Sequence, residues 1–338
     1  MKDTRSRATG RPTLAHVAAL AGVSQITTSR ALRAVPTVAP ELVERVRAAA
    51  KALSYVPNPA ARTLASARSQ SILVLVPALS NHLFIETLEA IQAVFRPRGF
   101  EMLIGNYHYD SHEEEELIRN YLSHQPCGIL LTGFKRNAVA ADLLATSGVP
   151  RVQMMDLGGD AASVCVGFSQ GSAGRAVADH LLSRGRRKLA FVGAQLDDRV
   201  MQRRAGFQQA IADAGFSQAV DILTPEPSSV DLGVTLFKRL LAECPQTDGV
   251  FFCNDDLAFG ACFEALRKGI SIPQRLSVVG FNDLPGASQM VPRLTTVQTP
   301  RASIGRQAAI NLLKLLDGET LDTERVDLGF ELVVRESS

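Results

Sequence analysis

The sequence predicts a small all-α helix-turn-helix head, a linker, and a larger α/β body of parallel sheets, with boundaries at residues 1–57, 58–70 and 71–338. Three observations predict it. Residues 1–68 carry eleven Lys and Arg against three Asp and Glu, a net +8, which leaves −6 for the rest of a chain whose total is +2. Within that basic stretch, short amphipathic segments follow one another behind helix-capping residues. From Ser71 onward, short apolar β-prone runs alternate with amphipathic helical stretches, as parallel strands covered on both faces require. A basic head on an acidic body separates a polyanion-binding module from one that binds something else.

With 338 residues, 46% hydrophobic and 21% charged, and a mean hydropathy of +0.07, the chain has the balance of a globular protein with a large core. The longest clean apolar run, residues 72–76, is too short to span a bilayer, and no apolar stretch follows the N-terminal charges. A cytoplasmic protein without a membrane partner is expected. Cys127, Cys165, Cys244, Cys253 and Cys262 are widely spaced and lie mostly in apolar runs, so they read as reduced core residues. No Walker loop, GxGxxG or CxxC occurs, and neither a metal nor another cofactor is expected.

In the head, Thr13 is placed to cap a helix over residues 14–20, with Leu14, Val17, Ala18 and Ala21 on one face before a break at Gly22. Ser24 caps a second over 25–32. Pro40 suits the first turn of a third over 41–53, whose Leu42, Val46, Ala49 and Leu53 form a stripe. In such a unit the first helix braces the second, whose N-terminal side chains enter a major groove while capping hydroxyls and amides meet phosphates. The candidate DNA-facing residues are Thr13, Ser24, Gln25, Ile26, Thr27, Ser29, Arg30 and Arg33, with Thr28 also on the available side.

The run TLAHVAALAGVS at 13–24, then TSRAL at 28–32 and LSYVPN at 53–58, resembles the DNA-binding signature of the lactose-repressor (LacI) family. The resemblance implies that the stretch after Asn58 is a hinge helix, too short to be stable alone, that orders when two subunits pair over operator DNA. Asn58 then caps it, Leu64 is its minor-groove wedge, and Ala61 faces the partner subunit.

In the body, strands are expected near 72–76, 102–104, 128–131, 149–153, 164–166, 189–192, 248–252 and 276–280, with helices over 84–95 and 111–123 and a last strand region at 328–330. Its length suffices for two α/β units. Ligands in such folds bind beyond the C-terminal ends of the strands. The resemblance implies two lobes, similar to periplasmic sugar-binding proteins, closing on a small molecule. It carries effector contacts onto Asn81 and Phe84 of the first loop, Thr132, Asp156, Phe168, Arg203 of an Arg-x-x-Gly-Phe run, Asn254, Asp256, Asn282 and Gln298. Amides and carboxylates bridge sugar hydroxyls, an aromatic ring covers an apolar sugar face, and arginine grips a carboxylate with two prongs. Arg203 has a second reading, a salt bridge within its own helix to Asp197 or Asp198.

The segments LSN at 79–81, VGF at 166–168, GAQLDDR at 193–199, NDDLAFG at 254–260 and DLGF at 327–330 resemble the gluconate-operon branch of the family, from which Ser169-Gln170 departs. The implied protein is a sequence-specific, homodimeric repressor, not an enzyme, whose grip on double-stranded operator DNA is switched by a sugar acid, gluconate or a related aldonate or keto-aldonate. It would control sugar-acid catabolism genes. No heptad repeat follows the last strand region, so a dimer is expected rather than a tetramer.

Rival readings fare worse. GFSQG at 167–171 fits a nucleophile elbow, yet the last histidine, His180, lies within the helix that follows and cannot return as base. His108 and His112 before four glutamates resemble a metal cluster, but a helix capped at Ser111 with Glu114 as its capping-box partner is simpler. A solute-binding or sugar-converting protein with a basic tether is the remaining alternative, and a promoter mobility shift separates it.

Overall fold

A computed structural model describes residues 12–56, 69–79, 83–158 and 163–338, and the chain divides into two units, Met1–Ser69 and Gln70–Ser338. The hinge residues Asn58, Ala61 and Leu64, and Asn81 of the first body loop, lie outside the described residues.

In the first unit, α1 (Leu14–Ala21), α2 (Gln25–Leu32) and α3 (Pro40–Ala52) enclose Val17, Ala21, Ala31, Val46, Ala49 and Ala50. Thr13 occupies the N-cap of α1, where its amide donates to His16 Nδ1 at 3.0 Å. Gly22, at φ 65°, ends that helix in the left-handed conformation that glycine adopts without strain. Arg45 of α3 then donates to the Ala21 carbonyl at 2.6 Å, bracing the turn. On α3, Val43 takes the place in the stripe that spacing assigned to Leu42.

The second unit holds two six-stranded sheets. In lobe 1, β1 (Ser71–Val76) lies between β2 (Glu101–Asn106) and β3 (Gly128–Thr132), and the sheet continues through β4 (Arg151–Met154), β5 (Cys165–Gly167) and β11 (Arg325–Asp327). Every pairing is parallel. Residues 72–76 of β1 are wholly buried because helices cover both faces of the sheet. On one face, α5 (Ser111–Leu122) and α6 (Ala138–Thr146) set Ile118, Ala140 and Leu144 against Leu73 and Leu75. On the other lie α4 (Leu83–Phe95) and α11 (Arg301–Leu316).

Lobe 2 has β8 (Gly249–Phe252) between β6 (Leu189–Gly193) and β9 (Ser277–Asn282), with β7 (Val220–Leu223) outside β6, and β10 (Thr295–Gln298) then β12 (Glu331–Val333) beyond β9. Only the β10–β12 pairing is antiparallel. Phe191, Phe207, Phe251 and Phe281 pack in tilted and edge-on pairs at centroid distances of 5.3–6.2 Å through its core. The remaining helices are α7 (Gln170–Ser183), α8 (Asp198–Asp213), α9 (Val230–Glu243) and α10 (Asp255–Arg267).

The chain passes between lobes three times, from β5 to α7, from β10 to α11 and from β11 to β12. The strand expected at 328–330 is the third of these passages. Gly329 turns there at φ 66°, its amide held by Asp327 Oδ1 at 2.9 Å, and strands form on either side. Helix α5 is capped by Asp110 rather than Ser111, since the Asp110 carboxylate accepts from the His112 and Glu113 amides. Ser169 caps α7 by accepting from the Ser172 amide at 3.1 Å, and His180 instead meets Ser338 at 2.7 Å. Ser169 thus has no base partner among the described residues.

Candidate functional site

On the head, Gln25, Ile26, Arg30 and Arg33 are exposed, and Ile26 leaves 67% of its surface in solvent despite being apolar. Ser24 caps α2 by accepting from the Thr27 amide at 3.1 Å, and Arg30 and Arg33 stand at the other end of the helix. An exposed isoleucine at the start of such a helix suits apolar contact with a thymine methyl group. Thr28 corrects the sequence reading: it is fully buried, its hydroxyl donating to the Ser24 carbonyl at 2.9 Å, because the fourth residue of α2 turns inward against the other helices.

In the body, a cavity of about 420 Å³ opens between the lobes. From lobe 1 it is lined by Tyr107 and Tyr109 after β2, by Thr132 at the end of β3 and residues 133–137 after it, and by Asp156 after β4; from lobe 2, by residues 195–197 between β6 and α8 and by Asp198 and Arg199 at the start of α8. These are C-terminal strand ends, as the fold demands. Non-glycine backbone in the left-handed region gathers on these loops, at His108, Tyr109, Met155, Gln195 and Leu196, and recurs at the end of β9, at Asn282 and Asp283, which do not line the cavity. Strain of this kind persists where surrounding structure over-determines it, commonly around ligand sites.

Arg199 and Asp197 face the cavity as an ion pair at 2.5 Å. Burial pushes the Asp197 carboxyl up, but Arg199 and the Val200 amide pull it further down, so it stays below the ordinary carboxylate value. Burial raises the hydroxyl pKa of both tyrosines, keeping them neutral donors. Polar contacts already join the lobes here, among them Gln202 Nε2 donating to Asp156 Oδ2 at 2.9 Å and Lys135 paired with Asp198 at 3.3 Å.

One turn along α8 from Arg199, Arg203 is buried to 6% exposure. Its Nε donates to Gln170 Oε1 at 2.7 Å, its Nη1 to the Cys253 carbonyl at 2.8 Å, and its guanidinium lies 3.6 Å from the Phe281 ring centroid. Gln170 in turn donates to the Met155 carbonyl at 2.8 Å. Close approach of α7 and α8 allows this: a Cβ on Gly174 would stand 2.0 Å from the Arg203 carbonyl oxygen. No carboxylate pairs with Arg203 among the described residues; Asp197 is taken by Arg199 and Asp198 by Lys135. Burial lowers its pKa to about 10, which still leaves it charged at neutral pH.

The other sequence-derived residues divide. Thr132 and Asp156 line the cavity. Asn282 is buried with its Oδ1 lacking a hydrogen-bond partner among the described residues. Asn254 caps α10 by accepting from the Leu257 amide and bonds Ser228, while Asp256 beside it is half-buried. Gln298 is exposed and donates to Asp283 at 3.1 Å. Phe84 is wholly buried in the lobe 1 core and Phe168 nearly so, stacked on Phe281 at 6.2 Å, so their rings back the cleft rather than face open solvent. Sequence reading missed Tyr107, Tyr109, Arg199 and Gln170. Reading β2 to its true end at Asn106, and Arg199 as the i−4 neighbour of Arg203, would have found the first three.

A head of this geometry, with a basic polar second helix, followed by a two-lobed body with a polar inter-lobe cavity, defines a DNA-binding transcription regulator with a separate ligand-binding unit. Residues 13–58 match the bacterial regulatory proteins of the lacI family, and residues 178–338 match the periplasmic binding protein-like domain. The chain belongs to the LacI family. It is 58% identical, over 99% of its length and 98% of the relative's, to the HTH-type transcriptional regulator GntR of Pseudomonas aeruginosa. It is 35% identical to GntR of Escherichia coli K12 over 95% of this chain and 97% of that one. Among solved structures, the transcription regulator GntR from Chromobacterium violaceum aligns at 48% identity and TM-score 0.77, covering 79% of this chain and 99% of that one. A LacI family regulator from Silicibacter pomeroyi aligns at 31% and 0.90, covering 96% and 99%. No helix among the described residues is long and apolar enough to cross a membrane.

Proposed function

We propose that this regulator is a homodimeric repressor that releases its operator when a sugar acid, gluconate or a close aldonate or keto-aldonate, occupies the cleft between its lobes. The observation that carries the acid is Arg203, a buried guanidinium held by neutral partners. A charge taken out of water without an ion pair is costly, by several kcal/mol, and an incoming carboxylate offsets that cost while a neutral sugar does not. Asn282, with its free acceptor, and Asp156 supply hydroxyl contacts. Similarity to regulators named GntR supports the same reading.

Switching then follows from linkage. An effector that binds one lobe arrangement better than another shifts the protein toward it, and operator affinity falls by the differential free energy, typically about 1 to 3 kcal/mol. Residues 58–70, with Leu64 as a minor-groove wedge, are the segment through which release acts. The test is a mobility shift of the full chain on the promoter of its own gene, titrated with gluconate, keto-gluconates, their phosphates and neutral glucose. Release by an aldonate at concentrations where glucose has no effect is expected. Release by neutral sugars alone, or no retardation of any promoter fragment, would refute the reading.

A further inference from the structure

Arg301 opens α11, directly after the passage from β10 of lobe 2 into lobe 1, and it is buried to 7% exposure. Its guanidinium serves both lobes. Toward lobe 2, Nη1 donates to the Asn282 carbonyl and Nη2 to the Asp283 carbonyl at 3.3 Å. Toward lobe 1, Nη2 and Nε grip the Glu86 carboxylate of α4 at 2.9 and 3.2 Å.

The lobe 1 side of this clamp is rigid. Thr87 donates its hydroxyl to the Arg301 carbonyl at 3.3 Å, and one turn on, a Cβ at Gly305 would stand 2.4 Å from the Thr87 carbonyl oxygen, so α4 and α11 touch backbone to backbone. The lobe 2 side is strained. Asn282 and Asp283 both have left-handed backbone, at φ 111° and 51°. Asp283 is further held by Arg335 at 2.7 Å and by Gln298. A planar five-donor fork is the side chain able to span two carbonyls and a carboxylate at once.

We infer that Arg301 is a positioning residue that holds the Asn282 carboxamide in its binding pose and passes the state of the cleft to α4 of lobe 1 through Glu86. This rests on the cleft reading above and adds the connection between the lobes. A ligand that moves the 282–283 backbone must move the guanidinium, and Glu86 moves with it. Lobe 1 is the lobe that follows the DNA-binding head in the chain, so it is the side on which release must be felt.

The test uses Glu86→Gln in the full chain, because Glu86 keeps 45% of its side chain in solvent and its replacement spares the core. Arg301→Lys, which retains charge but loses the fork, is the second variant. Without ligand, hydrogen exchange of peptides covering 281–286 should be at least about threefold faster in both variants than in wild type. With gluconate, affinity of the Glu86→Gln body should stay within about threefold of wild type, while the factor by which gluconate weakens operator binding shrinks at least about fivefold. Unchanged exchange in both variants overturns the positioning role, whatever the effector. If wild type is released by gluconate and Glu86→Gln is released equally, the relay is overturned. If gluconate fails to release wild type, the sugar-acid reading fails instead, and exchange still decides the position of Asn282.

Discussion

The guanidinium of Arg203 lies over the Phe281 ring, 3.6 Å from its centroid, with an amide oxygen and a carbonyl as its hydrogen-bond partners. Phe281 in turn stacks on Phe168 at 6.2 Å, so the cation is backed by aromatic surface contributed from both sides of a lobe crossing. Cation–π contact offsets part of the burial cost, about 2 kcal/mol when desolvated, which keeps the charge in place without neutralising it.

Gln170 is the neutral residue that preserves this charge. Replacing it by glutamate would set a carboxylate where the amide oxygen now stands, 2.7 Å from Nε. Gln170→Glu should therefore hold or raise the melting temperature of the unliganded body and lower gluconate affinity at least about tenfold. Scanning and titration calorimetry read the two effects, and undiminished affinity would show that the charge is not reserved for the ligand.

In the head, Gln25 and Ile26 stand exposed at the start of α2, the position we propose for reading base edges. Exchanging both should change which bases are preferred, by about 1 to 3 kcal/mol for each bidentate hydrogen-bond pair removed. Ser24→Ala should weaken all sequences alike, since it removes the cap that accepts from the Thr27 amide and fixes the start of α2. A randomised-operator selection separates a changed preference from a uniform loss.

Beneath the β9 loop, Asp255 is fully buried, accepting from the Leu284 amide and the Thr296 hydroxyl at 2.7 Å each. Burial pushes it up to about 6, against those two donors. The folded protein thus holds a proton that the unfolded chain releases near 3.8, so this contribution to stability is complete below 3.8 and is lost as pH rises to about 6. Across the window it amounts to about 3 kcal/mol. The melting temperature of wild type relative to Asp255→Asn should increase as pH is lowered from neutrality to about 5; a difference that does not vary with pH would contradict it.

Much of this is legible in the sequence, for physical reasons. Caps and apolar spacing fix the head helices to within about a residue, because Thr13, Gly22, Ser24 and Pro40 each act locally. Buried parallel strands such as β1 announce themselves as continuous apolar runs. The short strands β11 and β12 do not, since half-exposed three-residue segments gain their identity only from the partners they meet. Of the residues the family pattern names, Thr132 and Asp156 line the cavity, while Arg203 and Asn282 are buried outside its lining. Gln170 reads in the sequence as a departure from that pattern, and its role emerges only when α7 lies against α8. Asn254 has the expected position, but its carboxamide serves the helix start.

The most direct measurement is isothermal titration of gluconate into wild type, Arg203→Lys and Arg203→Ala, with the melting temperature of each unliganded protein recorded alongside. The expected result is partial weakening by lysine, which supplies charge without the two-pronged match, and loss of about 2 to 5 kcal/mol of binding free energy by alanine, with the unliganded body no less stable than wild type. A destabilised body that binds gluconate almost as tightly as before would contradict the assignment of Arg203 as the receptor of the acid.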